Sequence, residues 1–239
     1  MKKKEEEWKI RIGKFLFRFR SFTLLPLIIL VFLLFPPQNL GSSNWIVSLG
    51  GFLIALLGEL IRILAVGFSL SGTSGRENYL KALGINKTGL YSITRNPLYI
   101  GNVFIFIGLL IVFSNPLAIL VFGLFLILQY YFIIVAEEKF LSNRHGESYR
   151  RYCQTVSRIF PGLKNFKKPD IRFNLRKVIF KENDSIFNLL MMFLVILFFR
   201  EMTFHGRIRN AVVYIGIGSC LIMVYVLIKI LKKRKKTDW

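Results

Sequence analysis

Two stretches of the chain, residues 21–58 and 96–136, carry no Asp, Glu, Lys or Arg. A bilayer core of about 30 Å is crossed by roughly 20 apolar helical residues. On that measure the apolar runs predict a first span over Phe22 to Phe35, reaching back toward Phe15 and stopped by Pro36-Pro37. A second runs from Trp45 to Leu70, with Glu59 and Arg62 spaced i,i+3 on one face, where they can pair. A third and fourth share Asn96 to Ala136, divided by the turn signal Ser114-Asn115-Pro116. A fifth covers Ser185 to Phe204 and a sixth Ala211 to Leu231. The expected fold is all-α: a polytopic integral membrane protein of about six transmembrane helices. Helices three and four form a tight hairpin, followed by a cytoplasmic amphipathic segment.

Charge sets the orientation. Lys2, Lys3, Lys4, Lys9, Arg11, Lys14, Arg18 and Arg20 precede the first span, and the loop from Pro36 to Asn44 is neutral. Arg76, Lys81, Lys87 and Arg95 lie between spans two and three, and the hairpin turn is neutral. A basic stretch from Lys139 to Lys181 follows span four, and Lys232 to Lys236 close the sequence. Basic loops stay cytoplasmic, so both termini and the Asn96 edge are expected on that side. Arg200, Arg207 and Arg209 conflict with this, because six spans place them outside. No small-residue cleavage site follows the first apolar run, which reads as a retained helix.

Composition agrees: 54% of the 239 residues are hydrophobic and mean hydropathy is +0.50. The net charge of +21 would suggest nucleic acid in a soluble protein. Here basic loops against an anionic lipid surface account for it, and no nucleic-acid recognition motif is present. Cys153 and Cys220 lack CxxC spacing, and His145 and His205 are far apart, so no metal site is expected.

The hairpin brings distant motifs together. Arg95 to Gly101 and Glu137-Glu138 must end at the same membrane depth. Asn96 before Pro97 reads as an N-cap and first helical position, a place that suits a carboxylate or phosphate. Arg95 adds a cation, Tyr91 and Tyr99 offer aromatic faces to a base or sulfonium, and Glu137 and Glu138 offer anions. Together they suit a zwitterionic nucleoside such as S-adenosylmethionine. Each also has a plainer reading: helix start, interfacial belt, solvated helix end.

In combination they resemble a family. Gly89-Leu90-Tyr91, Arg95-Asn96-Pro97, Tyr99 and Gly101 resemble the G-x-Y-x-x-x-R-[HN]-P-x-Y-x-G signature of isoprenylcysteine carboxyl methyltransferases and related phospholipid methyltransferases. After the apolar hairpin, Glu137-Glu138 to Leu141 and His145-Gly146 through Tyr149 to Tyr152 are similar to that family's E-E-x-x-L…F-G-x-x-Y-x-x-Y pattern, and Val156 and Pro161 to its ending. The resemblance covers about Gly51 to Pro161. It implies an S-adenosylmethionine site at the membrane–cytosol boundary, lined by Ile85, Asn86, Tyr91, Arg95, Asn96, Pro97, Leu98, Tyr99 and Gly101 and closed by Glu138. Asn96 stands where eukaryotic members have His. The turn before the Glu pair reads Ile133-Ile134, where those enzymes carry a substrate-contacting Arg, which argues against a prenylcysteine. Thr73-Ser74-Gly75-Arg76 is similar to a bacterial subgroup.

The resulting division is residues 1–50 as basic N-terminus and first helix, 51–168 as methyltransferase-like core, and 169–239 as a C-terminal hairpin with a basic tail. The expected reaction is methyl transfer to a membrane lipid or lipidated substrate, on a carboxylate or phosphate oxygen. Arg95, Glu137 and Glu138 are the expected catalytic groups, and Arg62 and Arg151 steer an anionic head group. An amine acceptor would use Glu137 as base. The rival readings are an NADPH-dependent membrane reductase, which Tyr152-Cys153 suggests, and a non-catalytic transporter or scaffold. Oligomeric state is open.

Overall fold

The computed structural model describes residues 2–20, 22–70, 72–73 and 83–234. Arg76, Lys81, Lys235 and Lys236, and Ser74 to Arg76 of the subgroup motif, lie outside them. The described residues form seven α-helices: α1 (Lys2–Phe19), α2 (Leu24–Leu34), α3 (Asn44–Gly67), α4 (Pro97–Phe113), α5 (Pro116–Thr155), α6 (Leu175–His205) and α7 (Ala211–Arg234). No strand occurs among them, only an isolated antiparallel bridge between Gly89 and Lys167. The chain is an integral membrane protein: α3, α5, α6 and α7 are each long and apolar enough to cross a bilayer.

The expected six spans are not reached by length. α2 has 11 residues, about 16 Å at 1.5 Å per residue, and α1 meets it at a bend of 76°, so the pair makes at most one further span. α4 has 17 residues and falls just short. Helix ends also extend beyond the apolar runs. α5 continues past Ala136 to Thr155, so the amphipathic segment is its continuation, broken at Gly146 where φ is +51°. α6 begins at Leu175, well before Ser185.

α3 and α4 approach through glycine. A Cβ on Gly58 would lie 2.5 Å from the Gly101 carbonyl oxygen, and one on Gly51 would lie 2.6 Å from that of Gly108. Small residues let helix backbones meet where lipid gives no hydrophobic drive to associate. α1 is amphipathic: Arg11, Lys14 and Arg18 face outward, whereas Gly13 and Phe17 are buried. It seats on α5, with Gly13 against Phe132 and Ala136 and the Trp8 ring 5.6 Å from that of Phe132.

Arg200 is not a loop charge. It is buried in α6 and donates to the Ser48 hydroxyl (2.7 Å), the Val112 carbonyl (2.7 Å) and the Asn44 side chain (2.6 Å). It thereby ties together the Asn44 ends of α3, α4 and α6. Its conflict with the charge rule disappears, while Arg207 and Arg209 stay exposed. α7 packs on α6 through stacked Phe187 and Tyr225 rings 4.2 Å apart, and most of its apolar surface is open.

Candidate active site

At the opposite end, the loop entering α4 is held by the chain that leaves α5. Gly89 has φ +61°, which favours glycine, and its amide donates to the Lys167 carbonyl at 2.8 Å. Ser92 Oγ donates to the Gly89 carbonyl and accepts from the Lys167 amide. Further on, the Arg95 amide donates to the Ser157 carbonyl and the Gly162 amide to the Ile93 carbonyl, both at 2.9 Å. Tyr152 Oη donates to the Tyr91 carbonyl at 2.6 Å. Residues 156–168 therefore form a strap over the 89–96 loop.

Glu138 lies under this strap. Its Oε2 accepts from Arg158 Nε (3.0 Å) and Nη2 (2.6 Å), and its Oε1 lies 3.4 Å from Arg95 Nη2. Two groups here are buried without a hydrogen-bond partner, Arg95 Nε and Glu138 Oε1. A buried polar atom left unbonded is costly, so this pair marks where a polar ligand would be accommodated. The bond to Glu138 stabilises the Arg158 cation further. Burial, with the charge of Glu137 adding to it, pushes the Tyr91 phenol above its usual range, so Tyr91 stays neutral.

Glu137, the neighbouring residue, faces elsewhere. Its carboxyl acts on the Tyr99 hydroxyl, and the Tyr99 ring lies 5.1 Å from Tyr130. Asn102, whose side chain acts on the Tyr130 phenol, accepts from Arg62 Nη1. Arg62 donates through Nε (3.0 Å) and Nη2 (2.6 Å) to Glu182 of α6, and lies 4.0 Å from Glu59. Adjacent carboxylates thus serve two places. Glu138 serves the strap, and Glu137 serves a polar line running inward between α3, α4 and α5.

The structure brings Arg95, Glu138, Tyr91, Asn96, Pro97, Leu98 and Tyr99 to one edge, but several assignments change. Asn96 does not cap α4 with its side chain; its Nδ2 donates to the Arg158 carbonyl at 2.9 Å and holds the strap. Gly101 serves helix packing, since a Cβ there would lie 2.6 Å from Arg62 Cγ. The Asn86 side chain turns to the segment after α3, accepting from the Leu70 amide and donating to Thr73, while Ile85 packs with Tyr149, Tyr152 and Val156. Arg151 is exposed and pairs with Glu147 at 3.3 Å. Sequence reasoning missed Arg158, Asn102, Tyr130 and Glu182. Arg158 stands between Val156 and Pro161, inside the matched ending, and that position was the available signal. A cavity of about 430 Å3 opens near Leu83, Arg172 and Lys177, and none of residues 91–99 line it.

Comparison with known proteins follows the same stretch. Residues 46–148 match the phospholipid methyltransferase family. The chain is 32% identical over 131 residues to a probable protein-S-isoprenylcysteine O-methyltransferase of Oryza sativa, covering 52% of this chain and 64% of that one. It is 28% identical over 123 residues to protein-S-isoprenylcysteine O-methyltransferase A of Arabidopsis thaliana, covering 48% and 60%. The match thus spans less than two thirds of the length of these relatives. No solved structure matches. The resemblance read from the motifs is borne out, and it lies on the part of the chain that builds this edge.

Proposed function

We propose that the protein is a membrane methyltransferase that uses S-adenosylmethionine to methylate a carboxylate or phosphate oxygen of a membrane lipid or lipidated substrate at the cytoplasmic face. The observation that carries this is the Arg95–Glu138–Arg158 constellation, with Arg95 Nε and Glu138 Oε1 buried and unbonded on the matched motif. Its donor set fits a zwitterionic nucleoside: guanidinium groups for a carboxylate, a carboxylate for an ammonium or sulfonium, and aromatic faces alongside. When bound, S-adenosylmethionine supplies an electrophilic methyl group on a sulfonium. The chain contributes alignment and exclusion of water. The strap closes the loop through bonds from Gly89, Asn96 and Gly162. An ionised oxygen acceptor requires no base, and the basic face draws anionic head groups. The line from Glu137 to Arg62 leads inward between the helices and is the natural seat for the acceptor.

Glu137 favours a second reading. A half-buried carboxylate beside the Tyr99 hydroxyl suits removal of a proton from an amine acceptor. The test is binding of S-adenosylmethionine to protein in lipid nanodiscs, with Glu138→Ala as control, followed by product analysis. Saturable binding that the variant abolishes, with methyl esters formed from labelled cofactor, is the expected result. Methylated amines alone would select the second reading, and NADPH binding in place of S-adenosylmethionine would defeat both.

A further inference from the structure

Carboxylates match the cations of the two polar groupings: Glu182 matches Arg62, and Glu138 matches Arg95 and Arg158. Lys177 is not matched in this way. It is 3% exposed near the start of α6, and its ammonium donates to the Ser69 carbonyl (2.6 Å), the Ser69 hydroxyl (2.7 Å) and, at 3.4 Å, the Leu70 carbonyl. These neutral acceptors follow the end of α3. They meet the hydrogen-bonding needs of the ammonium and leave its charge unbalanced. The place is held firmly: the Asn174 amide donates to the Gly67 carbonyl at 3.1 Å, and the Phe173 ring lies 5.2 Å from that of Phe68. Lys177 forms part of the wall of the cavity of about 430 Å3, with Arg172, Ser69 and Asn174 as further polar lining and Leu70, Leu83 and Ile171 as apolar lining. No acidic side chain lines it. Among the described residues, neither Lys177 nor Arg172 is in an ion pair.

We propose that this cavity binds the phosphate group of an anionic lipid from the membrane leaflet at this end of the molecule. A buried cation is costly until an anion is brought to it. Phosphate fits the pair present: the Arg172 fork can take two oxygens, and Lys177 acts as a point charge. The ammonium's third bond, at 3.4 Å, is long enough to be exchanged for a phosphate oxygen. Depth argues for a lipid as the source. α3 and α6 are each long and apolar enough to cross a bilayer, and the cavity lies where one ends and the other begins, at the height of the head groups. Basic pockets between transmembrane helices suit lipid head groups, and the apolar lining suits the glycerol and first methylenes behind the phosphate. None of Arg95, Asn96, Glu137 and Glu138 lines the cavity, so the proposal goes beyond the methyltransferase reading and does not depend on it. α3 belongs to the matched stretch and α6 does not, so a lipid here bridges the core and the C-terminal hairpin.

The experiment is native mass spectrometry of the full chain in detergent, titrated with phosphatidylglycerol or with phosphatidylcholine of the same acyl chains. Wild type is expected to retain one phosphatidylglycerol about tenfold more tightly than phosphatidylcholine. Arg172 is exposed, so Arg172→Gln should fold, and it is expected to raise the Kd for phosphatidylglycerol about fivefold or more while that for phosphatidylcholine holds. Lys177→Met should abolish the preference; if it does not fold, Arg172→Gln decides, since it leaves the bonds of Lys177 to Ser69 intact. Lys164→Gln, on the strap, serves as the control for general surface charge and should change nothing. Equal affinity for the two lipids overturns the proposal, as does an equal loss in Lys164→Gln and Arg172→Gln. Inorganic phosphate that displaces the lipid would assign the cavity to a free phosphate ion, and displacement by S-adenosylmethionine would make it part of the cofactor site; either overturns the lipid assignment. Lipid retention needs no turnover, so a chain that binds no S-adenosylmethionine would sink the methyltransferase reading and leave this result standing.

Discussion

Among single residues, Glu138 holds two cations and one unbonded oxygen, so it is where one substitution should tell most. Charge-assisted hydrogen bonds are worth about 1.5–3 kcal/mol each, and 1.4 kcal/mol is tenfold in affinity. Glu138→Gln is expected to weaken S-adenosylmethionine binding by roughly tenfold or more. Arg158→Ala should cost less, because its side chain is 43% exposed and solvent already screens it. Calorimetry on both variants checks the order, and a larger loss for Arg158→Ala would reverse the assignment. Arg95 and Glu138 were legible in the sequence because the hairpin forces their motifs to one depth. Arg158 was not: it is 20 residues beyond Glu138 and returns to it on an irregular strap, which no helical period encodes. The packing role of Gly101 was hidden for a related reason. A glycine in a motif looks the same whether a ligand or a neighbouring backbone needs the space, and here the neighbour is Gly58.

Between elements, the packing of α3 against α4 and α6 defines the second group of predictions. Gly101→Ala puts a methyl group where Arg62 Cγ and the Gly58 carbonyl already lie. Overpacking of this kind costs about 1–3 kcal/mol, so the melting temperature in detergent should fall while cofactor affinity of the folded fraction is kept. Lost affinity at unchanged stability would return Gly101 to the cofactor site. Glu182→Ala strips Arg62 of its shortest ion-pair partner and leaves a buried cation with only Glu59, 4.0 Å away, to balance it, a change smaller than the loss of about 3–5 kcal/mol for a fully stranded buried charge. Adding Arg62→Met to it should recover much of that loss, and a double-mutant cycle without coupling would show the pair to be incidental. α6 lies beyond the matched stretch, so this pair, with Arg200, is one of the links by which the C-terminal hairpin reaches the core. The apolar runs located the helices well because lipid demands length and apolarity together. They set the ends poorly, because backbone hydrogen bonding in α5 continues past Ala136 through residues that are polar yet still helix-forming.

For the whole molecule, orientation is the property that charge predicts and the helices alone do not. Residues 156–168 include Arg158, Lys164, Lys167 and Lys168 and lie on the Asn96 end, whereas residues 36–43 at the other end are uncharged. The transfer of basic loops is disfavoured, so the strap and the candidate site should face the cytoplasm. Of the three charges that spoke against this, Arg200 is now accounted for by burial among Asn44, Ser48 and Val112. Arg207 and Arg209 remain in one short turn, set against the many basic groups at the other end. Single cysteines test it directly. After Cys153→Ser and Cys220→Ser remove the native thiols, Ser42→Cys and Lys164→Cys each place one exposed thiol at an opposite end. In intact cells a membrane-impermeant maleimide should label Ser42→Cys and spare Lys164→Cys until the membrane is opened. The opposite pattern would put the strap outside, away from cytosolic S-adenosylmethionine, and the proposed reaction would lose its donor.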